Sequence, residues 1–332
     1  MKNNGSIADC FVVREGDLVE SGWDDFIELS NDGTLFHKSR FLRYHGDRFL
    51  GGEHFLSIHR KKKRIALWPL ALIERNGELC ALSPYGGSYG GPALQGALGL
   101  SACRDIIGAI VEYVANAGAQ EFRITLPIRA CSLVYTETFR FALLEAGFSC
   151  VNRDISSVIP LDTNFAEYSH VQSHRSEWER RARKANKLGV VVRRSAPIQD
   201  FWQTLTATFE KHGRKPTHTF EELQWLATEL PDNVFLSCAY LEEKPIAGVC
   251  YFAQNSRVVG TFYLCQDPEY QAAQAQSALL LDGFEQAQSL GYCWMDLGTS
   301  SVNMQAYDSI FRFKETLGAI GQFRETYLLR LQ

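Results

Sequence analysis

Val234-Phe235-Leu236-Ser237-Cys238-Ala239-Tyr240-Leu241, Ile246-Ala247-Gly248-Val249-Cys250-Tyr251-Phe252-Ala253 and Val258-Val259-Gly260-Thr261-Phe262-Tyr263-Leu264 are three apolar, β-branched and aromatic runs in quick succession. Only Glu242-Glu243-Lys244-Pro245 and Gln254-Asn255-Ser256, both turn-like, separate them. Runs of this length and composition between such short turns predict an antiparallel meander. Upstream, Pro197 to His212 places Ile198, Phe201, Trp202, Leu205 and Phe209 at helical spacing. A second helix opens on Thr219, a good N-cap with Glu221 and Glu222 in the first turn, and runs through Leu223, Leu226 and Leu230 to Pro231. Downstream come a helix near Gln274–Leu290 closed by Gly291, a strand Cys293–Leu297, a helix near Gln305–Leu317 closed by Gly318, and a last strand Gln322–Leu331.

The first half gives the same order. Helices near Gly22–Leu29 and Leu35–Tyr44 precede strands His54–Arg60, Ile65–Glu74 and Leu79–Ser83. Helix Leu98–Ala117, strand Glu121–Leu126, helix Leu133–Ala146 and strand Cys150–Leu161 follow. A repeat of about 150 residues implies duplicated domains in place of a solenoid of small units. The expected fold class is α/β (α+β), with two tandem lobes over 1–162 and 163–332, each a mixed sheet flanked by helices.

Composition narrows the function. Of 332 residues, 45% are hydrophobic, enough for two cores of ordinary size. The longest strongly apolar run, Ile65 to Ile73, is about half a bilayer span and reads as a buried strand. The N-terminus leads into polar sequence without a secretory signal, so a cytoplasmic location is expected. Nine scattered cysteines without a CxxC pair read as reduced core thiols, and His170 with His174 lacks the Glu and third ligand of a metal site. No metal is expected. Net charge is −4, yet His174 to Arg194 carries +6, a segregation suited to an anionic ligand.

Four segments carry a family resemblance. Ser309-Ile310-Phe311-Arg312-Phe313-Lys314-Glu315-Thr316-Leu317-Gly318 resembles the glycine–aromatic–x–Phe–Lys–x–x–Phe–Gly signature of FemAB-like transferases, with Ser309 in place of Gly and Leu317 in place of the second Phe. Asp296-Leu297-Gly298 resembles the Asp-Phe-Gly before it, and two more matches are the loop Pro84–Pro92 and the basic helix ending Arg183-Lys184-Ala185-Asn186-Lys187-Leu188-Gly189-Val190. The element order is that of the GNAT fold, used twice. The resemblance implies an enzyme that moves an aminoacyl or acyl group onto an amine of a cell-envelope precursor, a peptidoglycan stem or an amino-sugar nucleotide. It implies no tightly bound cofactor, and a donor that is either aminoacyl-tRNA or acyl-CoA. An acyl-CoA-dependent N-acyltransferase and a non-catalytic GNAT pair that binds RNA or a nucleotide-sugar are the alternatives.

Amide formation needs a cation or hydrogen-bond donor where oxyanion charge develops. By resemblance Lys314 takes that role or holds a donor phosphate, with Phe313 beside it in the donor channel. Tyr263 and Asp296, each at a strand end, are expected to face one another across the opening between two parallel strands and to orient the amine or relay its proton. Arg180, Arg183 and Lys184 on the basic helix are candidates for the acceptor's phosphates, and His212 and Arg214 for the border of the acceptor cleft. Tyr85 and Tyr89 are expected at the edge of a cleft between lobes, on a flexible glycine loop. GNAT enzymes hold a donor pyrophosphate on a Gln/Arg-x-x-Gly-x-Gly/Ala loop. Here that stretch is Gln271-Ala272-Ala273-Gln274-Ala275-Gln276-Ser277, without glycine, so Gln276 enters as a donor-site candidate and the usual CoA grip loses weight. Gly86-Gly87-Ser88-Tyr89-Gly90 satisfies GxSxG, but Gly91-Pro92 follows where a nucleophile elbow needs a helix.

Overall fold

The computed structural model describes residues 10–14, 22–60, 63–161, 171–211 and 213–331, without the side chains of 10–14 and 171–175. They fall into two compact units: unit 1 runs to Asp154 and resumes at Phe323, and unit 2 runs from Ile155 to Gln322.

In unit 1, β1 (Cys10–Arg14), helices α1 (Trp23–Leu29) and α2 (Ser39–Leu42), and strands β2 (Glu53–Arg60), β3 (Lys63–Arg75) and β4 (Glu78–Ser83) come first. A short β5 (Ala93–Leu94), α3 (Leu100–Asn116), β6 (Glu121–Thr125), α4 (Thr138–Glu145) and the start of β7 (Ser149–Pro160) follow. Strands β1 to β4 pair antiparallel, β4 pairs parallel with β6, and β5 adds to β3. The apolar stripe of α3, Ile106, Ile107, Ile110 and Val114, packs with Leu56, Trp68 and Phe122 of the strands.

Unit 2 contains α5 (Val171–Lys187), β8 (Val191–Arg194), α6 (Ile198–Lys211), α7 (Phe220–Glu229), β9 (Val234–Leu241), β10 (Lys244–Ala253) and β11 (Val258–Gln266). Then come α8 (Ala275–Ser289), β12 (Trp294–Thr299), the hairpin β13 (Ser301–Val302) with β14 (Gln305–Ala306), α9 (Asp308–Glu315) and the start of β15 (Ile320–Arg330). Strands β8 to β11 pair antiparallel and β11 pairs parallel with β12, the pattern of unit 1 repeated. Helices α5 and α8 bury Trp178, Ala182, Ala185, Leu279 and Leu280 with Val249, Val259 and Met295. Gly248 of β10 lets the fully buried Phe201 of α6 lie close on the strand, because a Cβ there would stand 2.7 Å from the Phe201 ring.

Several expectations change. The meander and the capped helix at Thr219 form as predicted, but the expected helix Leu35–Tyr44 is broken into 3-10 turns Leu35–His37 and Arg43–Phe49 around α2, the one expected from Leu133 starts at Thr138, and the last strand of each half is exchanged. The end of β15 pairs with β6 in unit 1 through Thr326–Arg330, and the end of β7 pairs with β12 in unit 2 through Ser156–Pro160. The compact units therefore differ from 1–162 and 163–332 at residues 155–162, which fall in unit 2, and at the final ten residues, which fall in unit 1. The predicted helix at Gln305 starts later, at Asp308, because Gln305–Ala306 pairs with Ser301–Val302 around a turn with Asn303 and Met304 at φ 52° and 61°.

Candidate active site

Strands β11 and β12 pair over Val258, Val259 and Gly260 against Trp294, Met295 and Asp296, and then part while both run on. The opening they leave is a cavity of about 410 Å³. Thr261 and Phe262 of β11, Gln276 and Leu280 of α8, Leu297 and Thr299 of β12, and Ile310, Phe313 and Lys314 of α9 line it. Among the described residues of its lining, Lys314 is the only titratable side chain.

Lys314 is 7% exposed, and its Nζ donates to the carbonyls of Gly298 at 2.7 Å and Thr299 at 2.8 Å. An ammonium has three N–H donors, so one remains for the cavity. Burial lowers its pKa from 10.5 to about 8, against the opposing pull of the Asp296 charge. The cation is therefore desolvated yet still predominantly protonated near neutrality. Its helix is fixed at the other side by Trp178, whose Nε1 donates to the Thr316 carbonyl at 3.0 Å.

The two acceptor carbonyls are themselves set by Asp296. Its Oδ1 accepts from Gly298 N at 2.8 Å and from Ser156 Oγ at 2.6 Å, and its Oδ2 accepts from Gln254 Nε2 at 3.0 Å. A carboxylate so occupied shapes the Gly298–Thr299 turn and, through it, the position of Nζ. Tyr263 does not face it. The Tyr263 hydroxyl lies 2.9 Å from His218 Nδ1 and accepts from His218 N at 3.1 Å, among Phe209 and Phe262, and burial raises its pKa. The expectation that Tyr263 and Asp296 meet across the opening is corrected: each is satisfied by a different set of partners. His218 escaped the sequence reading, since its partner is 45 residues away and its only local mark is the capping box that starts at Thr219.

The other candidates scatter. Phe313 and Gln276 share the cavity with Lys314. Arg180 is exposed and donates twice to Glu177, at 2.8 and 2.7 Å, and Arg183 lies 3.8 Å from Glu179 on the same helix. Lys184 and Arg214 are exposed, and His212 lies outside the described residues. In unit 1, Tyr85 and Tyr89 are 3% and 2% exposed, so they do not edge an open cleft. Tyr85 packs on His45 and Phe49, and Tyr89 on Phe36. Their loop is tightly seated: Gly90 N donates to Thr125 O, and a Cβ on Gly90 would stand 2.3 Å from the Ser83–Pro84 backbone. No helix follows Ser88 directly, since β5 and a loop precede α3.

Among the described residues no three His, Cys, Asp or Glu side chains come together in a way that could hold a metal ion. At the start of α8, Gln274 occupies the place of the first missing glycine and keeps a left-handed backbone, φ 57°. Gln276, at the place of the second, puts its side chain in the cavity wall.

Comparison with known proteins agrees with this geometry. A family model described as acetyltransferase (GNAT) domain matches residues 172–314. No curated protein matches in sequence. Among solved structures, FemX is similar at a TM-score of 0.72 with 12% identity, covering 96% of this chain and 97% of that one. The C-terminal domain of a protein named as a lysylphosphatidylglycerol synthetase, from Agrobacterium fabrum, is similar at 0.59 with 11% identity, covering 92% and 90%. A tandem GNAT protein from the clavulanic acid biosynthesis pathway is similar at 0.54 with 8% identity, covering 97% and 98%. At these identities the likeness to solved structures is one of fold, and the matched domain spans the helices and strands that enclose Lys314. Fold, domain and the cation in the strand opening lead to one conclusion: residues 172–314 match the acetyltransferase (GNAT) domain family, in a chain whose fold is similar over nearly its whole length to that of FemX.

Proposed function

We propose that unit 2 forms an amide bond by moving an aminoacyl or acyl group from an activated donor onto an amine, with a cell-envelope precursor as acceptor. One observation carries this reading: a buried ammonium with two N–H groups spent on backbone carbonyls and a third left for a cavity large enough for a donor. When the amine attacks, the C–N bond forms and negative charge gathers on the former carbonyl oxygen. Lys314 is positioned to neutralise that charge in a desolvated setting, where such a contact is stronger than in water. Collapse breaks the bond to the leaving thiolate or alkoxide, which takes up the proton lost by the amine. A lysine with a pKa of about 8 is suited to pass a proton at this step and regain it from the amine.

Support for the envelope acceptor comes from fold likeness to FemX and to the lysylphosphatidylglycerol synthetase domain, and from the exposed basic face of α5 as a place for acceptor phosphates. An aminoacyl-tRNA donor fits the absence of the glycine pair before α8. A cytoplasmic location belongs to the proposal, as both donor classes are made there; no helix among the described residues is long and apolar enough to cross a membrane. An acyl-CoA donor is the second reading, favoured by the left-handed backbone retained at Gln274. Turnover by wild type and Lys314→Ala with pools of charged tRNA and of acyl-CoA, offered UDP-linked muropeptide or amino-sugar nucleotide acceptors, decides between them. Amide product with one pool, lost in the variant, is expected. Ligand binding without product from either pool would instead leave a non-catalytic protein.

A further inference from the structure

The cavity wall combines buried and exposed apolar side chains. Leu280, Leu297 and Leu317 are buried, Phe313 is half-buried, and Ile310, also in the lining, is 41% exposed. One turn before Ile310 stands Tyr307, 43% exposed, whose carbonyl accepts from Phe311 N and whose N–H donates to Ser300 O at the base of the β13–β14 hairpin. That hairpin adds Met304 at its tip, 62% exposed, and Val302 at 46%. Single exposed apolar side chains are ordinary, but no other nine-residue stretch among the described residues exposes four large ones. Met304 is also held in a left-handed conformation that a side chain adopts at a cost. An acetyl group on Lys314 would cover none of this surface.

We infer that the group transferred or held at this site carries a long unbranched apolar chain, with its polar head at Lys314 and its tail running past Phe313 and Ile310 toward Tyr307 and Met304. The inference rests on the reading of Lys314 as the anchor of the reacting carbonyl, and it names the substrate class: a fatty acyl group. Carbon chains of this kind gain affinity with each methylene removed from water, which a small acyl group cannot do.

The test is calorimetric titration of the full chain with butanoate, hexanoate, octanoate and decanoate below their micellar concentrations; the carboxylate stands in for the oxygen that bears developing charge. Affinity is expected to rise about three- to fourfold per methylene. Ile310→Ser and Met304→Ser should flatten that slope while thermal melts show them folded, and Met304 is exposed enough that its replacement leaves the core intact. Lys314→Ala should weaken every member by a similar factor and leave the slope. Equal binding of butanoate and decanoate, or a slope unchanged in both serine variants, overturns the inference even if Lys314-dependent turnover is found. A slope kept in full together with indifference to Lys314→Ala would remove the lysine anchor and leave the apolar path standing.

Discussion

Lys314 meets conditions unlike those of a surface lysine: removed from water, it keeps its proton because two carbonyls and the charge of Asp296 favour the ammonium. Loss of one oxyanion donor typically costs 10²–10³ in kcat, so Lys314→Ala should lower kcat by roughly that factor with KM little moved. The protonated form is the active one, and its pKa is about 8, so kcat/KM should fall as pH rises through that value. Asp296→Asn removes the charge that raises the lysine's pKa, and should move this alkaline limb to lower pH; an unmoved limb would mean that the two groups are not coupled. Stability runs the other way. A lysine with a depressed folded pKa binds fewer protons than the unfolded chain between about pH 8 and 10.5, so its contribution to stability rises across that window and is constant below it. Against Lys314→Met, which keeps the packing, wild type should gain roughly 3 kcal/mol relative to the variant on going from pH 7.5 to 10.5, measured by urea unfolding at each pH.

Among the elements, the N-terminus of α8 offers a separate test of the donor. Gln274 holds φ 57°, a conformation that costs a side chain about 1 kcal/mol, and Gln276 fills the cavity wall where a backbone-only approach to a pyrophosphate needs space. Gln274→Gly with Gln276→Gly should raise the thermal midpoint through the first change and strengthen CoA binding through both; calorimetry with CoA that shows no gain would place the donor elsewhere. How much of this was legible in the sequence follows from the reach of each signal. The meander, the capped helix at Thr219 and the helix closed by Gly291 are local patterns, and each formed where it was expected. Lys314 could be placed because its helix follows a recognisable strand and a Phe-Lys pair. The partners of Tyr263 and Asp296 could not, since His218, Ser156 and Gln254 reach them from 45, 140 and 42 residues away. The irregular end of β12, where register shifts between Asp296 and Thr299, has no sequence signal either. On α5, six basic positions suggested a place for phosphates, and Glu177 and Glu179 pair with Arg180, Arg181 and Arg183 of them at helical spacing.

At the scale of the whole molecule, duplication supplied two frames and only one lysine. Phe139-Arg140-Phe141-Ala142 on α4 parallels Phe311-Arg312-Phe313-Lys314 on α9, with a buried alanine where unit 2 has its cation. Unit 1 puts its arginine to structural use: Arg140 Nε donates to Glu325 at 2.8 Å, and Arg153 reaches the other oxygen of the same carboxylate at 2.9 Å. Glu325 and Tyr327 are buried and come from the end of the chain, where the backbone of β15 pairs with β6 from Thr326 to Arg330. The last ten residues thus complete the first unit, an arrangement that a reading by consecutive halves cannot produce, since strand length and apolar pattern say nothing about which neighbour a terminal strand chooses. Removing residues 323–332 should therefore strip protection from amides of β6 and α3 in hydrogen exchange while β9, β10 and β11 stay slow. Glu325→Ala, which leaves Arg140 buried without its carboxylate, should destabilise the same unit by about 3–5 kcal/mol. If the truncated chain kept β6 protected, or lost β10 first, the exchanged strand would not be what holds unit 1 together.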